Sequence, residues 1–374
     1  MRIQKRLLLY LMCKRESKSY SGFYFRKSPF MNYLHLKYNK GMKYYMQHKL
    51  IEFNNDNIET RIGWCILSPI VTMAKHQKFD FEIAFANAIF FGFSGDNNNV
   101  ENSISKKVFL KYNAGVDTIH LLKYSGVSLV DHKTDFITFQ KFVSNTLSNE
   151  QPVLFAFDAF YSSWSAYYHK HHFGHLALII GQKNNHYIVV DPYVTNCPQK
   201  MSIIDMEAGY TSYFELNKMK PKVSLDDEWK NILRQSVTGN LNNTDGCGNC
   251  YEMIRTLCAE ITDSNKVIEE IKEQSQNNSY YLQQNFKYLS YGRINYSWML
   301  KYLGDKYNVE SLVNISQDIE KIGYEMRVIL GLMTKISYIE EENKLEQLKS
   351  SIARKLLQSI DREEKIMTSI LDVV

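Results

Sequence analysis

Between residues 312 and 336 the apolar side chains keep a fixed beat. Leu312, Ile315, Ile319, Ile322, Met326, Ile329, Met333 and Ile336 are separated by three and four residues in strict alternation. That spacing puts all eight on one stripe of an α-helix. Leu345, Leu348, Ile352, Leu356 and Ile360 carry the stripe onto a second helix beyond the break "YIEEENK". A seam of this kind must be covered. Either the two helices close on each other as antiparallel neighbours in a bundle, or the seam pairs with a second copy of the chain. The short break favours the bundle. A homodimer through the C-terminal helices is the alternative.

From residue 223 onward the pattern stays helical, with "LDDEWKNILRQ", "CYEMIRTLCAEI" and "NKVIEEIKEQ" as earlier helices. The preceding part reads differently. Helices are predicted from Cys65 over "CILSPIVTMAKHQ", where Ile66, Ile70 and Met73 share a face and Pro69 falls in the tolerant first turns. A buried helix is predicted over "FDFEIAFANAIFFGF". An amphipathic one is predicted over "DFITFQKFVSNTLSNEQP", with Phe136, Phe139, Phe142 and Val143 on one side. Strands follow at "VLFAFDAF", "HLALIIG", "YIVVDP" and "YTSYFELN". Helices followed by an antiparallel sheet make an α+β domain over residues 51–222, with an all-α helical domain over 223–374. A hydrophobic content of 44% supplies cores for both.

Residues 1–50 stand apart. They hold twelve basic residues and one acid, a balance of +11, so that the rest of the chain carries −6 against a total of +5. They read as a basic extension that is disordered or not native, since Met31, Met42 and Met46 could each begin the protein. The run in "RLLLYLMCKR" is far short of the roughly 20 apolar residues of a membrane span. No small-residue cleavage site follows it. Six scattered cysteines fit a reducing compartment, so a cytoplasmic protein is expected.

The chemistry concentrates in the strand region. Cys65 sits where a loop meets a helix, a position that favours a thiolate. A nucleophilic thiolate needs a base, and the base an orienting partner. His175 and Asp191 stand at opposite ends of "HFGHLALIIGQKNNHYIVVDP". If the turn between the two strands holds an odd number of residues, such as "KNN", His175 lies opposite Tyr193 and Asp191 is its diagonal neighbour on the same face. An even-numbered turn puts them on opposite faces. Taken singly, each residue is more often structural: a buried cysteine, a polar strand end, an Asp-Pro turn. Their joint order is the signal.

Other chemistries fare worse. The tract His169, His171, His172, His175 has no acidic or cysteine partner at ligand spacing, and no metal is expected. Cys247 and Cys250 form a lone C-x-x-C with only Cys258 near, more consistent with the opening of a helix capped near Asp245. Phosphate-binding, dinucleotide-binding and serine-hydrolase motifs are missing from the sequence. No RNA-binding signature interleaves basic and aromatic residues outside the N-terminal extension, so no nucleic-acid partner is expected.

"GWC" opening a helix, "NEQPVLFAFDAFY" and "HFGHLALIIGQKNNHYIVVDPY" together resemble the N-terminal domain of butirosin biosynthesis protein H and its relatives. These are papain-like cysteine folds of bacterial natural-product, including antibiotic, pathways. The resemblance covers about residues 50–220, and the helical half resembles the domain that accompanies it there. It implies a papain-like fold and acyl transfer without ATP. An acyl group on the phosphopantetheine arm of an acyl or peptidyl carrier protein would pass through an acyl-cysteine to a small amine, with no cofactor bound to the enzyme. Cys65 would be the nucleophile, His175 the base and Asp191 its orienter. The family's pattern puts an oxyanion-donating glutamine about six residues before the cysteine, where this chain has Glu59. Asn55, Asn57 or Thr60 would then supply the second donor beside the Cys65 backbone N–H. Two other readings stand beside this one: a cysteine peptidase or amidase with water as acceptor, and a helical scaffold whose triad has decayed.

Overall fold

The computed structural model describes residues 50–51, 65–93, 103–109, 118–242, 249–263, 265–277 and 281–374. Asn55, Asn57, Glu59, Thr60, Asp245, Cys247 and the extension up to residue 49 lie outside them. The chain divides into two compact units that interleave along the sequence. One takes the described residues up to Gln77 together with Leu129–Leu216; the other takes Lys78–Ser128 and Asn217–Val374. The expected single boundary at residue 222 is therefore replaced by an exchange. The segment 78–128 groups with the helical half rather than with the strands that surround it in sequence.

The first unit is built on a six-stranded sheet. Its strands are β1 (Val127–His132), β2 (Val153–Asp158), β3 (Gly174–Lys183), β4 (His186–Asp191), β5 (Thr195–Ser202) and β6 (Tyr210–Lys218). They lie in the order β1-β6-β2-β3-β4-β5. β2 pairs antiparallel with both β3 and β6, β3 with β4, and β4 with β5. Val153–Phe157 and His175–Gly181 are buried throughout, as central strands covered on both faces must be. The two edge strands escaped the sequence reading. β5 reads "TNCPQKMS", polar and mostly exposed, with a proline that only an edge strand tolerates. β1 is half-buried with a similar mixed pattern.

Helix α1 (Leu67–His76) begins two residues later than expected and presents Leu67, Val71 and Ala74 to the core, while Ile66 and Ile70 are half-buried. It packs on β2 and β3. Helix α2 (Phe136–Ser148) starts at Asp135, whose side chain accepts the Thr138 N–H at 2.7 Å as an N-cap. Phe139 and Val143 are buried as expected and Leu147 joins them, while Phe136 and Phe142 are half-buried. Phe142 stacks on Tyr213 at 4.0 Å and Phe139 on Tyr210 at 4.2 Å, fixing the helix to β6. A short helix α3 (Ile203–Gly209), capped by Ser202, joins β5 to β6.

The second unit contains α4 (Leu225–Asn242), α5 (Cys250–Asp263), α6 (Lys266–Gln276), α7 (Tyr281–Tyr307), α8 (Glu310–Ile336) and α9 (Glu342–Leu371). Seven of the eight seam residues of α8 are buried and Ile315 is half-buried. They are covered by α7 on one side and α9 on the other. The seam is thus consumed inside the chain, as an antiparallel bundle requires, and is not the surface through which a second copy would pair. Gly323 lets α8 approach α7: a Cβ there would meet the Ile294 side chain at 2.8 Å. Asn249 caps α5, its side chain accepting the Tyr251 N–H at 2.7 Å.

The stretch 79–93 is not the expected helix. It makes one 3-10 turn, Glu82–Phe85, and a two-residue strand, Gly92–Phe93, paired with Val108–Phe109. Phe81, Ile83, Phe85, Ile89 and Phe91 are nevertheless buried, and the segment packs against α7. Phe85 meets Trp298 edge-on at 6.4 Å, and the Ala88 carbonyl lies where a side chain at Gly292 would be. This docking explains why the segment belongs to the helical unit.

Candidate active site

The two strands that carry His175 and Asp191 are joined by a two-residue turn, Asn184–Asn185, with Asn184 in the left-handed conformation (φ 53°) that asparagine tolerates. The turn is even-numbered, not odd. In a regular ladder that count would send the two side chains to opposite faces. The ladder is not regular. Lys183 pairs with His186, Gln182 with Tyr187 and Gly181 with Ile188, but then Ile179 pairs with Val189 and Leu178 with Val190. Ile180 is an extra residue, a β-bulge, and its carbonyl accepts the Ile51 N–H at 2.8 Å instead. The bulge restores the parity that the turn removed. Carried onward, the register sets His175 opposite Tyr193 and Asp191 opposite Ala177, diagonal neighbours on one face.

The side chains meet accordingly. His175 Nε2 lies 2.8 Å from Asp191 Oδ2, and the Cys65 thiol stands near enough to the ring to favour its charged form. Cys65, in the turn that enters α1, is 5% exposed, His175 5% and Asp191 0%. The three residues separated by 126 positions in sequence are thus assembled at one nearly dry point.

Burial works against a charge on His175. The Asp191 carboxylate and the Cys65 thiol together outweigh it and raise the imidazole from 6.5 to about 9. The other described buried cysteines are in a different state. Burial pushes Cys250 up, and Cys258 up to about 12, with no imidazole beside either. They are inert core thiols.

Two aromatic rings frame the imidazole. Phe157, directly across from His175 on β2, meets it edge-on at 5.4 Å, and Tyr193 lies 5.9 Å away on the other strand's continuation. A third ring was not anticipated. Trp164, in the loop between β2 and β3, donates its indole N–H to Asp191 Oδ2 at 2.9 Å. The only sequence sign of it is a tryptophan in the aromatic-rich loop "YSSWSAYY" just upstream of His175.

The remaining histidines of the tract do not join the site. His172 Nδ1 is held by Asp158 at 2.5 Å and its ring stacks on Phe160 at 4.4 Å. His169 stacks on Tyr168 at 3.9 Å, and His171 lies against Tyr167. Among the described residues no three His, Cys, Asp or Glu side chains cluster closely enough to hold a metal ion. No helix among them is long and apolar enough to cross a membrane.

The His175 shift has a thermodynamic consequence. A group whose pKa is higher in the folded state adds stability that is full below its unfolded value, here 6.5, and is lost as the pH rises through about 9. Asp191→Asn removes the anion that sustains the shift. The variant is expected to lose most stability relative to wild type at or below pH 6.5, with the gap narrowing toward pH 9. Thermal denaturation across this range checks it, and a gap that stays constant or widens with pH contradicts it.

No protein-family model matches the chain, and no curated protein matches it either.

Proposed function

We propose that the chain is a cysteine-dependent acyltransferase that forms an amide from an acyl thioester and an amine. One observation carries this reading: an imidazole bonded through Nε2 to a buried carboxylate has a buried thiol near enough to help hold its charge. The Cys65 sulfur, having passed its proton to His175, attacks the thioester carbonyl. The tetrahedral intermediate collapses, the carbon–sulfur bond to the departing thiol breaks, and His175 returns the proton to that thiol. An acyl-Cys65 thioester remains. The amine then attacks the same carbon, His175 takes its proton, and the Cys65–carbon bond breaks to release the amide. Asp191 steadies the imidazolium through both halves. The thiol carrier in this reading is the phosphopantetheine arm of a carrier protein, and the α+β fold with its antiparallel sheet is of the papain-like kind.

Amine is favoured over water as acceptor because the site is closed. A thioester held where Cys65 and His175 are each 5% exposed is poorly supplied with bulk water. The test is a product analysis. The protein is incubated with short acyl thioesters of pantetheine and a panel of primary amines, and the products are weighed. Amide in clear excess over free acid is expected. Free acid alone, at a rate unaffected by amine, would replace this reading with a hydrolase.

A further inference from the structure

We propose that Trp164 is a positioning residue of the Cys65–His175–Asp191 site, its indole N–H holding the Asp191 carboxylate in the one orientation His175 can use. The kinetic consequence rests on the acyl-transfer reading above, while the geometry stands without it.

Asp191 is fully buried, and its two oxygens are treated unequally. Oδ1 has no hydrogen-bond partner among the described residues. Oδ2 receives both the His175 ring at 2.8 Å and the Trp164 indole at 2.9 Å. A carboxylate out of water depends heavily on each donor it keeps. Without the indole, His175 would be the only donor left to it among the described residues. Rotation about the Cβ–Cγ bond could then present either oxygen to the imidazole, or tilt both away from it. Two donors converging on one oxygen remove that freedom.

The indole is itself well placed. It packs at 6.3 Å against Phe157, the residue paired with His175 across the strands. Its turn is closed by the Ser165 N–H to the Ser162 carbonyl at 3.0 Å. The loop that bears it is tied at both ends, Ala159 N–H to Phe173 at 2.8 Å and His169 N–H to Phe160 at 3.0 Å. Asp158 fastens the same loop by accepting the Phe160 and Phe173 N–H groups, each at 3.0 Å. A half-buried tryptophan would need none of this to fill space. It does need it to aim one N–H at one oxygen.

The test combines kinetics with proton NMR on the full chain. Trp164→Phe keeps an apolar ring and removes the donor. The expected result is an acylation rate lower by about ten- to a hundredfold. The loss falls on kcat with KM for the thioester unchanged, and the low-field signal of the His175 Nε2 proton broadens or is lost. Trp164→His, which restores a ring N–H, is expected to recover part of the rate. In the wild-type protein the Trp164 indole proton is expected to exchange slowly with solvent, a measurement that needs no variant. A Trp164→Phe rate within twofold of wild type with an unmoved Nε2 signal would overturn the proposal, as would fast exchange of the indole proton. If wild-type protein forms no acyl adduct, the acyl-transfer reading fails, and the NMR comparison still decides the role of Trp164.

Discussion

Cys65→Ala is expected to lose acyl transfer by at least about a thousandfold, because every step after substrate binding passes through its sulfur. The fold should survive. The side chain is small, and alanine leaves only the space of one sulfur beside α1. A second consequence separates a nucleophile from a merely buried thiol. The Cys65 thiol is one of the groups that raise His175 to about 9. In the variant the imidazole should therefore titrate lower, which NMR can follow through its ring protons. Retention of more than a tenth of the wild-type rate, or an unmoved His175 titration, would remove Cys65 from the mechanism.

The largest stability effect is expected in the helical unit. Arg293 on α7 and Glu363 on α9 are 1% and 0% exposed. They meet in a bidentate pair, Nε to Oε2 at 2.9 Å and Nη2 to Oε1 at 3.0 Å, and Arg293 Nη1 also donates to the Leu289 carbonyl at 3.2 Å. Such a pair is held at heavy desolvation cost, so removing one partner strands the other charge. Arg293→Met should destabilise the helical unit by roughly 3–5 kcal/mol. The double variant Arg293→Met with Glu363→Leu should recover most of that loss, because two apolar groups of similar volume need no solvation. Denaturant unfolding followed by circular dichroism measures both. A single variant within about 1 kcal/mol of wild type would show that the charges find water or other partners.

The sequence exposed those parts of the fold in which burial is periodic. The α8 seam was legible because seven of its eight residues face α7 or α9, a single stripe on a long helix. α7 was not, although it is the most enclosed helix of the bundle. Buried on nearly all sides, it carries Ser290, Arg293, Asn295 and Ser297 at core positions alongside its apolar residues, so no stripe exists to be read. The segment 79–93 misled for the opposite reason. Its apolar density signalled burial correctly, but density carries no period, and the chain is buried there in a 3-10 turn and extended pieces against α7.

The candidate site shows the same division. Residue types and chain order brought Cys65, His175 and Asp191 forward, and these are the three side chains that meet. The register that unites them was not readable. The turn is even, which alone would part the two side chains, and the missing residue is supplied by the Ile180 bulge inside a uniformly apolar run, where one isoleucine looks like the next. Trp164 was hidden because its partner lies 27 residues away across two strands, beyond any local pattern.

The account stands on Cys65 taking up an acyl group with His175 beside it. Wild-type protein quenched during reaction with an acyl-pantetheine thioester, then weighed intact and mapped by peptide mass, tests this most directly. One acyl group on Cys65, discharged as amide when amine is added and not formed in His175→Ala, is the predicted result. An acyl group found instead on the exposed Cys197, or on Cys65 at an undiminished rate in His175→Ala, would contradict it.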